Sequence, residues 1–140
     1  MTSQNLENLV LTRALKPEPA DQREFDNLRR SGKVRLQDAQ NTGLSMESRF
    51  DLAYNAAHAL ALAALRWNGY RTEKRYYVFQ CIPHTIGLGP EVWRILALCH
   101  ERRNKAEYEG VIDIDSQLLQ DLLAATTTLL DAVDRLGAMP

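Results

Sequence analysis

Apolar residues recur along this chain mostly at three- and four-residue intervals, the spacing of helices rather than the alternation of strands. Residues 3–15 carry Leu6, Leu9, Val10 and Leu15 in that rhythm, and Pro17 and Pro19 end the segment. Residues 20–31 predict a polar helix with Phe25 and Leu28 on one side. Residues 33–41 continue weakly amphipathic through Val34, Leu36 and Ala39; Gly32 either breaks the helix or is tolerated within it. Asn41, Thr42 and Gly43 form a turn.

The strongest helix follows. Ser45 is a good N-cap and Glu47 suits a first turn. From Phe50 to Trp67 apolar residues cover nearly every face, which predicts a central, buried helix. Its many alanines allow another helix to approach closely. Asn68-Gly69 is a C-terminal stop, with Gly69 in the left-handed conformation and Tyr70 folding back. A short helix carries Tyr76, Tyr77, Phe79 and Cys81 and ends at Pro83; "HTIGLGP" reads as a loop. Pro90 opens a helix that runs to about Tyr108, with Val92, Ile95, Leu96 and Cys99 on one stripe and Gly110 beyond it. Asp113 or Asp115 caps the last helix, whose stripe is Leu119, Leu122, Thr126, Leu129, Val133 and Leu136. "GVIDID" alternates but is too short for a strand and has no partner. The pattern predicts an all-α protein, an up-and-down bundle of four main helices with extra short and N-terminal helices. Residues 1–19 form a helical extension, and residues 20–140 the bundle.

Composition changes this picture little. A chain of 140 residues, 45% hydrophobic and 25% charged, suits one soluble domain. A net charge of −1 offers no global attraction to nucleic acid or anionic membranes. The longest apolar run, "LAYNAAHALALAAL", contains Asn55 and His58 and is too short to span a bilayer. The N-terminus lacks a basic segment followed by an apolar one, so a cytoplasmic protein is expected. Cys81 and Cys99 sit among apolar residues as reduced core thiols. No two histidines have metal-ligand spacing, so no metal or cofactor is expected. No phosphate loop follows "GLGP", and no serine sits in a nucleophile elbow.

The chemistry concentrates in "CHERRNKAEYEG", residues 99–110. At about 100° per residue, Val92, Leu96, Cys99 and Ala106 all fall within about 60° of Arg103 on the helix. His100 and Glu107 share that sector, while Arg102, Lys105 and Glu109 lie outside it on a wet face. Arg103 is therefore predicted at the core edge, where an arginine needs partners. Glu107 at i+4 and Asp51 on the central helix are the candidates. Either the pairs only staple helices together in a purely structural, dimerising protein, or the cluster binds phosphate, which the planar guanidinium fork suits.

Two further regions are basic. Arg66, Arg71, Lys74 and Arg75, interleaved with aromatics around Gly69, have the composition of a nucleic-acid patch, and equally of a helix junction. Residues 23–35 mix five cations with acids and read as a solvated face. Beyond Lys105, seven acids stand against Arg135 alone, so basic N-terminal and acidic C-terminal surfaces are suited to meet in a dimer. His58 reads as a satisfied core group, and His84 as a loop residue or cap.

The stretches "RFDLAYNAAHALALAALRWNGYR" (49–71) and "RRNKAEYEG" (102–110), followed by a last amphipathic helix, resemble the HEPN superfamily over residues 20–137. The resemblance implies a helical bundle that pairs as a homodimer, and in many members a metal-independent RNase. Their motif is an arginine, a polar residue, and a histidine four to six residues after the arginine. Arg103 and Asn104 match its first two positions. Tyr108 stands where the histidine would be, and no histidine follows His100. A tyrosine, with pKa about 10, is a poor proton acceptor at neutral pH but can still donate a hydrogen bond to phosphate. The resemblance therefore implies a non-nucleolytic member that binds RNA or a nucleotide, some of which partner small nucleotidyltransferases or belong to toxin–antitoxin pairs. The alternative is an RNase in which His100 or His84 replaces the missing proton acceptor.

Overall fold

The computed structural model describes residues 4–137. Over these residues the chain forms seven helices: α1 (Gln4–Leu11), α2 (Gln22–Ala39), α3 (Met46–Trp67), α4 (Arg75–Gln80), α5 (Ile82–Thr85), α6 (Pro90–Glu109) and α7 (Ser116–Asp134). The four long ones, α2, α3, α6 and α7, make an all-α bundle around α3. That helix buries twelve of its side chains, from Phe50 to Arg66, and packs against α2, α6 and α7.

Local chemistry sets the helix ends. Asp21, Ser45 and Asp115 each accept a hydrogen bond from the backbone N–H three residues on, and so cap α2, α3 and α7. Gly69 and Gly110 take φ of 87° and 75° after α3 and α6, where a side chain would be strained.

The structure departs from the sequence expectation at α1, at a small strand pair and at Pro83, and it settles the open choice at Gly32. Helix α1 stops at Leu11 instead of running to residue 15. Arg13 adopts a left-handed φ of 65°, and the amides of Arg13 and Ala14 return to Val10 and Leu9, closing the helix as a glycine usually would. Leu15 still reaches the core, as does Leu6 from α1, so the N-terminal extension packs on the bundle. Residues 1–3 and 138–140, at the outer ends of the two expected segments, lie outside the described residues.

Helix α2 is continuous through Gly32. A Cβ built on Gly32 would lie 2.5 Å from Leu60 Cγ, so the missing side chain lets α2 approach α3. A small strand pair exists. β1 (Lys16–Pro17) and β2 (Tyr70–Arg71) pair antiparallel, Lys16 opposite Arg71. Pro83 does not end the structure after α4 either; it occupies the first turn of α5, which takes His84 and Thr85 out of the expected loop. Both cysteines are buried and free, and burial pushes each thiol up to about 12. Among the described residues no helix is long and apolar enough to cross a membrane.

Candidate functional site

Arg103 lies on α6 two turns from the helix end, with its side chain 30% exposed. Its guanidinium reaches Asp51 of α3 at 3.7 Å and Glu107 at 3.2 Å. It also lies over the ring of Tyr54, 5.2 Å from the centroid. Arg75, at the start of α4, lies over the same ring at 5.5 Å and donates to Asn55 Oδ1 at 2.9 Å. Tyr54 itself is fully buried on α3, flanked by Phe50 and Phe79. Two cations from different helices thus converge on one aromatic ring, an arrangement that stabilises each guanidinium without neutralising it.

His100 completes the cluster. Its Nδ1 is 2.8 Å from the Tyr54 hydroxyl, and Asn104 Nδ2 approaches its Nε2 at 3.1 Å. With Asn104 donating to Nε2, as its amide is oriented, the neutral ring carries its proton on Nδ1 and donates it to Tyr54. Burial first, and then Arg75 and Arg103, hold the His100 pKa below its ordinary value, so the ring is neutral at pH 7. Burial raises the Tyr54 hydroxyl, with the two arginines acting against it. His58, one turn further along α3, packs edge-on against Phe79 and is pushed down to about 4, by burial first and by the same two arginines.

Tyr108 stands apart from this cluster. It is 90% exposed near the end of α6, not beside Arg103. The spacing that puts it at the motif's histidine position carries it off the core-facing sector of the helix. Arg102, expected on the wet face, is half-buried; it donates to the carbonyl of Asp113 at 2.6 Å and ties down the loop between α6 and α7.

The basic residues around Gly69 do not form one patch. Arg66 is buried at 1% exposure, and all three guanidinium nitrogens are hydrogen-bonded. It bonds the Glu24 carboxylate and the carbonyls of Glu18, Pro19 and Tyr70, with the Glu18 carboxylate at 3.3 Å. Arg71 bonds the carboxylates of Glu18 and Glu24. Its hydrogen bond is the main cause that lowers the Glu18 pKa, against burial. Lys74 is exposed and lies over Tyr77 at 5.9 Å, while Arg75 turns to Tyr54. The reason for the split is β1: its pairing with β2 carries Glu18 over the end of α3, where the two arginines meet it. The basic face of α2 also meets the acidic end of α7 within one chain, through Arg29 and Asp134 at 2.8 Å.

Tyr54, Arg75 and Asn55 are the members of the cluster that sequence reasoning did not attach to Arg103. One signal pointed to Tyr54: it lies three residues after Asp51 on α3, on the same helix face as the acid expected to reach Arg103. Arg75 offered none, because its direction depends on how α4 crosses α3. Among the described residues, no three His, Cys, Asp or Glu side chains converge as metal ligands. The chain matches no known protein-family model, no curated protein and no solved structure.

Proposed function

We propose that this protein is a HEPN-like module that binds RNA or a nucleotide without cleaving it. In this reading it acts in the cytoplasm as a homodimer, paired with a small nucleotidyltransferase as in a toxin–antitoxin couple. The observation that supports binding is the convergence of Arg75 and Arg103 on the Tyr54 ring, beside His100 and Asn104. Guanidinium and side-chain amide N–H groups are donors that phosphate oxygens accept from, and the guanidinium fork meets two oxygens at once. Arg75 is held by a neutral amide, so its charge is available to an anion. The Asp51 and Glu107 carboxylates that hold Arg103 are on exposed side chains, and such pairs are weak enough for a phosphate to compete.

The test is binding of a fluorescent single-stranded RNA hexamer, followed by anisotropy at several salt concentrations. Wild-type protein is expected to bind with a negative salt slope, by about 0.7 per phosphate neutralised. The Arg75→Ala/Arg103→Ala double variant is expected to lose most of that affinity and slope. A folded wild-type protein that binds no RNA or nucleotide refutes the reading.

A second reading, a metal-independent ribonuclease, has one specific observation in its favour. His100 is neutral at pH 7 and its Nδ1 is anchored on Tyr54, so displacing Asn104 leaves Nε2 as a proton acceptor beside two arginines. It requires RNA cleavage in the presence of EDTA that disappears in His100→Ala. Intact RNA after prolonged incubation with pure protein decides against it.

A further inference from the structure

A cleft of about 530 Å³ opens between α1 and the α4–α6 face. Leu9 and Pro83 supply apolar walls, and Asn5, Asn8, Gln80 and His84 bring polar groups to it. Trp93 of α6 lines it and also lines a second cleft, which holds Tyr76, His100 and Asn104. The two clefts are therefore neighbours across one indole. Trp93, His100 and Asn104 are seven and four residues apart, so they form one stripe along α6, with Trp93 about 10 Å from His100. Tyr76 leans on this stripe: its ring is 6.2 Å from that of His100, and its hydroxyl accepts from Gln80 at 2.8 Å. The Arg94 guanidinium lies over Trp93 at 5.7 Å.

This combination has a definite chemistry. Half-exposed rings next to guanidiniums stack flat heterocycles, and side-chain amides answer the mixed donors and acceptors of a base edge. A ring inside a concave cleft is reached only by a base that has left its own stack, which a duplex does not offer.

Resting on the RNA-binding reading above, we infer that the ligand is single-stranded RNA whose backbone lies on Arg75, Arg103 and the His100–Asn104 pair, with a neighbouring base in the α1–α6 cleft on Trp93. Tyr76, 46% exposed, offers a second ring along the way. The α1 segment then has a role: it forms one wall of the base cleft.

Anisotropy with a labelled RNA hexamer tests this, with the matching duplex and a nucleoside monophosphate as competitors. The single strand is expected to bind more tightly than either. Trp93→Ala is expected to weaken it by about tenfold or more, and Trp93→Phe to recover most of the loss. Asn8→Asp, an exposed change that puts a negative charge at the cleft, is expected to weaken binding with the fold unaltered in circular dichroism. If Trp93→Ala and Asn8→Asp bind like wild type while the Arg75→Ala/Arg103→Ala variant does not, the base cleft is refuted and the phosphate site stands. A duplex that binds as tightly as the single strand also refutes the cleft. No binding by wild type refutes the cleft together with the reading it rests on.

Discussion

The two arginine sites on α3 use the same side chain in opposite ways. At the C-terminal end, Arg66 is buried, and every nitrogen of its guanidinium donates to a carbonyl or a carboxylate. About two turns from the N-terminus, Tyr54 gathers Arg75 and Arg103, whose charges meet a ring, a neutral amide and two solvated acids. The first site is closed, because a buried cation must be fully paired. The second is held in shape but not saturated, so a ligand has something to gain there. Burial of a charge therefore marks structure here, and a charge poised at the core edge marks the candidate site.

The largest effect is expected from breaking the closed site. Arg66→Ala leaves three carbonyls without this donor and takes away one of the two arginines that meet Glu18 and Glu24, and should cost about 3–5 kcal/mol in urea unfolding. A loss under about 1 kcal/mol would mean that the two ends of α3 do not differ as described.

Next in size is a pH effect rooted at the Tyr54 end. His58 has its pKa lowered from 6.5 to about 4 in the folded chain. Between those values the unfolded ring takes up a proton that the folded one refuses. Stability is therefore whole above about pH 6.5 and falls as pH drops towards 4, by about 2–3 kcal/mol. His58→Leu should flatten the thermal melting profile across this window. Glu18 acts in the same direction at lower pH: its carboxylate is held below its ordinary range by Arg71, so its stabilisation is lost as it protonates.

Gly32→Ala probes the packing between the two ends. Its new methyl would lie 2.5 Å from Cγ of the fully buried Leu60, so one of the two helices or the leucine must shift. The expected cost is about 1–3 kcal/mol from overpacking, read from the shift in melting temperature. Smallest in stability is Arg103→Ala, at about 0–1 kcal/mol, because its acid partners are solvated. The contrast sharpens if that variant folds normally yet binds RNA more weakly than wild type; equal binding would place Arg103 outside the ligand site.

Much of the fold was legible in the chain. Ser45 and Asn68-Gly69 bracket α3, its unbroken apolar wheel puts it at the centre, and the stripe through Leu119, Leu122, Leu129 and Val133 orients α7. These are local signals, since they depend on spacing and on backbone preferences of single residues. The pairing of Arg103 with Glu107 and Asp51 was also within reach, because one partner is a helical turn away and the other an acid on the neighbouring apolar helix.

The rest depends on elements far apart in sequence. Gly32 is ambiguous alone, and only the approach of Leu60 explains it. Arg66 sits in the otherwise apolar C-terminal part of α3, a hint that it is buried, but nothing local says that Glu18 and Glu24 will cover it. That depends on the β1–β2 pair bringing residue 18 back over residue 66. Tyr108 matches a motif by count, yet helix geometry turns it to solvent. By itself the sequence determined where the long helices begin and end and which faces are apolar, because those follow from neighbours one to four residues away. Tertiary structure alone decided which arginines are sealed and which are presented, because a charge takes its partners from whatever helices close around it.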